Sequence, residues 1–150
     1  MIRLAEMGDM PTLLAMGERF FEVSSYGELM TFDPQSLRQM FAQLIEGDAG
    51  VILIAQEGGE IAGFLAALLY PFYFNNAHFT GQEIGWWVAE EHRSGGHGKA
   101  LIEGVERWAR HKGAKTFSMI AIHGSQPETM AQIYAARGYK PSEYTYIKEL

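Results

Sequence analysis

The stretch GVILIAQEGGEIAGFLAALLY, residues 50–70, constrains the fold more than any other. Two β-type apolar runs flank Glu57-Gly58-Gly59-Glu60. Paired glycines suit a tight hairpin turn, because glycine reaches positive φ without a steric penalty. The alanines of the second run weaken it as a strand, but a hairpin accounts for the glycines better than a helix does. An apolar hairpin must be buried, so the rest of the chain has to supply its cover. With 150 residues the chain is long enough for one domain with a sizeable core.

That cover is legible on either side. IRLA near the start reads as a short first strand. Residues 8–23 carry Asp9 as a candidate N-cap and Pro11 in the first turn, with Leu13, Leu14, Met16, Phe20 and Phe21 at helical spacing. The next helix has Asp33 as cap, Pro34 at its first position, and Leu37, Met40, Phe41, Leu44 and Ile45 on one face, with Gly47 as stop. After the hairpin, PFYFNNAHFTG reads as an aromatic-rich loop and QEIGWWVAEE as a strand. A helix follows with Leu101, Ile102, Val105, Trp108 and Ala109 on one side, ended by Gly113. TFSMIAI is a strand, PETMAQIYAARGY a short helix ending at Gly138, and YTYIKEL a last strand. The order β-α-α-β-β-β-α-β-α-β predicts a single mixed α/β domain, a central sheet with helices on both faces.

Several function classes are excluded or disfavoured. There is no cysteine, which removes disulfides, thiolate metal sites and a cysteine nucleophile, and fits a cytoplasmic protein. The apolar stretches fall well short of the ~20 residues a membrane span needs. Residues 1–92 hold three Lys/Arg (Arg3, Arg19, Arg38) against 13 Asp/Glu, a balance of −10; residues 93–150 hold nine against five, a balance of +4. That asymmetry suits an anionic ligand toward the C-terminal half and a cationic one toward the N-terminal half. It disfavours nucleic acid, which calls for a basic face.

The charge changes sign at EEHRSGGHGKAL, residues 90–101, a glycine-rich corner between strand and helix. Such a corner is a phosphate site in principle, because the first N–H groups of a helix lack internal partners and its dipole favours an anion. A P-loop needs GxxxxGK followed by Ser or Thr. Here Ala100 follows Lys99, and Arg93 stands five before Gly98. A dinucleotide fingerprint needs GxGxxG, and its third glycine falls on Leu101. The pattern (Gln/Arg)-x-x-Gly-x-(Gly/Ala) is satisfied by Arg93-Ser94-Gly95-Gly96-His97-Gly98.

With that pattern, the sequence resembles the GNAT superfamily of acyl-CoA-dependent N-acyltransferases. WWVAEEHRSGGHGKALIEGVERWARHKGAK is similar to the family's acetyl-CoA motif, and IYAARGYKPSEYTYIKEL to its C-terminal motif, with Tyr134, Gly138 and Tyr139 in place. The resemblance implies an N-acetyltransferase that takes acetyl-CoA as cosubstrate and uses no metal. The acceptor would be a small-molecule or peptide amine, and a homodimer is plausible. It places the CoA diphosphate on the amides of Ser94, Gly95, Gly96, His97, Gly98, Lys99 and Ala100, with charge from Arg93 and Lys99. It implies that the strand ending at Val88 splays from the strand near 116–121 and pairs with pantetheine. The competing readings are a flexible turn and solvated surface charges.

Acetyl transfer to an amine needs a base for the ammonium proton, a donor for the tetrahedral oxyanion and a proton for the departing thiolate. By resemblance these are Glu83, ten residues before Arg93, the Val88 backbone N–H, and Tyr134. The plainer alternatives are a surface carboxylate and a packed helix tyrosine. With no cysteine and no GxSxG, transfer would be direct, in a ternary complex. Trp86 and Trp87 should face opposite sides of their strand, one of them core, and Tyr26 with FYFNNAHF is a candidate acceptor wall. His78, His92, His111 and His123 have no metal-site spacing. Pro127 stands where many relatives have asparagine, leaving Ser125 or Gln126 to contact pantetheine. The alternative function is a non-catalytic CoA-binding or partner-binding module on the same fold.

Overall fold

The structure, a computed structural model, describes residues 1–124 and 126–150. Its elements in chain order are β1 (Ile2–Leu4), α1 (Met10–Val23), α2 (Pro34–Glu46), β2 (Gly50–Glu57), β3 (Glu60–Phe72), β4 (Asn75–Val88), α3 (His97–His111), β5 (Ala114–Ser118) and α4 (Pro127–Ala136). The strands form one sheet in sequence order, antiparallel except for the parallel β4–β5 pair.

The central hairpin is as expected. Gly58 and Gly59 take φ of 58° and 92°, and Glu57 pairs with Glu60 across them. Positive φ at both central residues is the turn that matches strand twist. The β2 and β3 residues alternate between two cores. Ile52, Ile54, Phe64 and Ala66 pack with Met10, Leu13, Phe41 and Leu44 under α1 and α2. Val51, Leu53, Leu65 and Ala67 pack with Leu101, Ile102 and Val105 of α3 and Tyr134 of α4. Helices therefore cover both faces, which is why both strands read as nearly continuous apolar runs.

Local signals hold with some changes. Asp33 caps α2 through Gln35 N and Ser36 N, and Pro34 opens the helix. Asp9 stands at the start of α1 but makes no side-chain cap bond there. Its carboxylate takes two hydrogen bonds from Arg3 at 2.8 Å and one from Glu6 N. Gly113 and Gly138 take positive φ after α3 and α4.

Three expectations are corrected. PFYFNNAHFTG is no loop: it is the far end of a long β3–β4 hairpin that turns at Tyr73 and Phe74. Its aromatic and β-branched residues favour extended chain once a neighbouring strand is present. The last strand over YTYIKEL does not form, and TFSMIAI is a strand only to Ser118. Residues 141–150 are all exposed and lie outside the sheet. Alternation alone makes no strand without a ladder partner, and β5 keeps one open edge.

Candidate active site

β4 is built around an interruption. Its register against β3 shifts at Ala66/Ala67, so that Gly85 pairs with Ala66 and Glu83 with Ala67, leaving Ile84 as the extra residue. Pairing with β5 stops at Gln82–Ser118. A bulge twists and bends its strand, and here, among the described residues, β4 from 83 to 88 carries on with no strand paired on the β5 side. Ala89 N donates to Ala62 O at 2.9 Å, so by antiparallel alternation the Val88 and Trp86 N–H groups point to that open side.

Glu83 sits where the two strands part. It is 4% exposed and its Oε2 accepts from Ile120 N at 3.0 Å. Burial pushes its carboxyl up to about 7, and the Ile120 N–H only partly offsets this. Tyr134 reaches the same residue from α4, donating its hydroxyl to Ile120 O at 2.8 Å. Its pKa is raised by burial and then by the nearby Glu83 charge, so the phenol stays protonated. The two side chains expected to carry the chemistry thus meet on the two polar groups of one peptide residue.

Both line a pocket. Phe20 and Tyr26 wall it from the α1 side, Ile84 and Trp86 from β4, and Ile120, Ile122 and Met130 beyond β5. Tyr26, a candidate for the acceptor wall, lines this pocket. Phe72, Tyr73 and Phe74 do not: they stack on one another at the hairpin tip. The tryptophans divide as strand geometry requires, Trp86 toward α3 and α4, Trp87 toward α1 and α2. Trp86 Nε1 is buried with no hydrogen-bond partner among the described residues. A bare buried donor on a pocket wall costs about 1–3 kcal/mol unless a ligand accepts from it.

The glycine corner forms as a 3-10 turn over Glu90–Gly95, then Gly96 at φ 74°, then α3. Ser94 lies within that turn, and Gly96 caps α3 without any side-chain bond. His97, Gly98 and Lys99 precede the first closed helical turn, so their N–H groups have no helical acceptor. Ala100 N is already committed to Gly96 O at 3.1 Å. A Cβ on Gly98 would lie 2.9 Å from Trp86 Cζ2, so this glycine seats the indole as well as baring the backbone. Arg93 donates from Nε to Val88 O at 3.2 Å and stacks 5.0 Å from the Trp87 ring centre, bracing the end of β4. Lys99 stays exposed, 4.0 Å from Glu103. Pro127 opens α4 after Gln126 at φ 49°; Ser125 lies outside the described residues.

One grouping escaped the sequence reading. His92 Nδ1 and His97 Nε2 both approach Glu57 Oε2, at 3.0 and 3.2 Å. The separations of 35 and 40 residues carry no spacing signal. The two positive-φ glycines that turn β2 into β3 were its one clue, since they place Glu57 at the hairpin end.

Comparison with known proteins bears on this arrangement. Residues 18–139 match the model of the acetyltransferase (GNAT) family. The chain belongs to that family. An aminoglycoside N(6')-acetyltransferase type 1 from Klebsiella aerogenes is 32% identical over 91 residues, 58% of each chain. The GNAT chain thus spans less than two thirds of that curated relative. Among solved structures, one described as a transcriptional regulator from Bacillus halodurans C-125 superposes with TM-score 0.80 at 19% identity, covering 100% of this chain and 99% of that one. An aminoglycoside 6'-N-acetyltransferase from Acinetobacter haemolyticus gives TM-score 0.76 at 18% identity, covering 100% and 97%. At those identities the structures share the fold. Among the described residues no helix is long and apolar enough to cross a membrane.

Proposed function

We propose that this protein transfers an acetyl group from acetyl-CoA to a primary amine of a small cationic acceptor, directly and within a ternary complex. The observation that carries the proposal is Glu83, buried at the parting of β4 and β5 with its carboxyl pushed up to about 7, opposite a protonated Tyr134. A base of that strength can take an ammonium proton near neutral pH.

The residues fit the cosubstrate. The N–H groups of His97, Gly98 and Lys99, which have no helical acceptor, suit a diphosphate, whereas Gly95 lies within the 3-10 turn and Gly96 bends the chain into α3. The unpaired edge of β4 through Val88 suits the amides of pantetheine, and the partnerless Trp86 Nε1 offers a further donor beside it. Arg93 acts here by holding Val88 O rather than as a free cation.

In the reaction, the amine gives its proton to Glu83 and its lone pair attacks the acetyl carbonyl carbon. The oxyanion forms against the Val88 N–H. Collapse breaks the carbon–sulfur bond, and the thiolate takes the Tyr134 proton. The hydroxyl must turn from Ile120 O to do so. The extra proton still on the amide nitrogen passes to the Tyr134 phenolate, directly or through solvent, which restores the acid. A non-catalytic CoA-binding module would be favoured by Glu83 and Tyr134 pointing away from the cleft, whereas both line the pocket.

The balance of −10 over residues 1–92 favours a cationic acceptor, and the names of the aminoglycoside-modifying relatives point the same way. The deciding experiment is thiol release from acetyl-CoA across a panel of aminoglycosides, polyamines, amino acids and peptides. Release with a polycationic small amine supports the proposal. No release with any amine, while acetyl-CoA still raises the melting temperature, would reduce the protein to a binding module.

A further inference from the structure

The side chains of Glu57, His92 and His97 group outside the pocket, and of these residues only His97 enters the acetyl-transfer reading, through its backbone N–H. The group's members come from three segments: the last residue of β2, the 3-10 turn, and the first residue of α3. Their ligand-capable atoms all fall within 4.8 Å of one another. The side chains of His97 and His92 are only 11% and 20% exposed, while Glu57 is 58% exposed.

The placement of the rings is built in. A Cβ on Gly95 would lie 2.7 Å from His97 Nε2, so the ring occupies the space that any larger residue at 95 would fill. The rings stand nearly perpendicular, 82° apart with centres at 5.9 Å, and do not stack. Each turns a nitrogen toward the same carboxylate oxygen.

We propose that Glu57 Oε2, His92 Nδ1 and His97 Nε2 form a binding site for one divalent metal ion of the imidazole-seeking kind, with Zn²⁺ as its representative. The donor set and its spacing carry the proposal, and metal titration separates it from a hydrogen-bonded trio. Zinc holds nitrogen and oxygen ligands at roughly 2.0–2.2 Å, so tetrahedral ligand atoms stand about 3.3 Å apart. The two Glu57 separations, 3.0 and 3.2 Å, are close to that edge. Two imidazoles and one carboxylate are a set that zinc accepts, with solvent in the fourth position. Hard ions such as Mg²⁺ prefer all-oxygen shells. The role is that of a staple: the ion ties the β2–β3 turn to the first residue of α3. The site stands on the observed residues alone and does not depend on the acetyl-transfer reading.

The test is calorimetric titration of ZnCl₂ into tag-free protein, beside Glu57→Gln and His92→Ala, with circular dichroism to confirm that each variant is folded. The expected result is one ion per chain at micromolar affinity or tighter, weakened at least tenfold in both variants. Zinc should also raise the melting temperature of the unsubstituted protein and not of either variant. No saturable binding, or equal binding by the protein and both folded variants, would overturn the site. Co²⁺ gives a second readout: intense visible absorption expected of a four-coordinate site supports it, and the weak spectrum of a six-coordinate aqua-like ion counts against it.

Discussion

Glu83 carries two consequences that separate at the level of one atom pair. As the base, it works ionised, so kcat/KM should rise with pH through about 7 and level off above. Glu83→Gln keeps the acceptor for Ile120 N but removes the proton acceptor, and should lower kcat by about 10²–10⁴ and abolish that inflection. The same carboxyl acts on stability with the opposite sign. Its folded pKa lies above its unfolded value, so the folded state holds the proton more tightly between about 4.5 and 7. Its contribution is complete below that window and lost as pH rises through it. Glu83→Gln should therefore gain on the unsubstituted protein as pH rises, by up to ~3 kcal/mol at pH 8. Denaturation at pH 4.5 and 8 checks this; a pH-independent difference would mean that the carboxyl is not perturbed by burial. Tyr134→Phe tests the other partner. It removes the proton donor and the bond to Ile120 O, and should lower kcat at least tenfold while acetyl-CoA affinity changes little. Unchanged turnover would remove Tyr134 as acid.

At the scale of elements, α3 is held at its start and along its length by close contacts. At its start, Gly98 faces the Trp86 indole, and an added methyl would lie 2.9 Å from it. Gly98→Ala should destabilise the fold by about 1–3 kcal/mol through overpacking and also weaken acetyl-CoA binding. Calorimetry with and without the cosubstrate reads both. Along its length, Arg137 at the end of α4 bridges Glu106 at 3.0 and 3.1 Å and Glu103 at 3.2 Å, and Tyr139 joins Glu106 at 3.2 Å. These pairs dock the helix that carries Tyr134. The elements legible in the sequence are those fixed by their own residues: Asp33-Pro34 starts α2, Gly58-Gly59 turns the hairpin, and the 3.6-residue apolar period marks α3. Aromatic-rich β3–β4 chain reads as loop because its extended form needs the neighbouring strand. Of the site, the glycine pattern announced the corner and the family motif pointed to Glu83 and Tyr134. Ile120, the residue they share, has no local signal, and neither has the long-range meeting of Glu57 with two histidines.

Across the whole molecule, the two halves divide the work. The acidic first ninety residues contribute the pocket wall of Phe20 and Tyr26 and the proposed base, Glu83, while the basic remainder contributes the glycine corner and Tyr134. Everything in that division lies before residue 140. Beyond it, Tyr144, Tyr146 and Ile147 are 82%, 92% and 68% exposed and pack against neither core cluster. Exposed side chains with no buried contact contribute little to stability. Deleting residues 141–150 should therefore change unfolding free energy by no more than about 0.5 kcal/mol. β5 complicates the expectation, since it presents an open edge and such edges attract strands. If the alternating YTYIKEL segment paired with that edge in solution, its removal would cost ladder bonds and apolar burial together. The melting temperature would then fall by several degrees. Thermal unfolding of the shortened chain separates the cases, and an unchanged midpoint means that the five-stranded sheet is stable without residues 141–150.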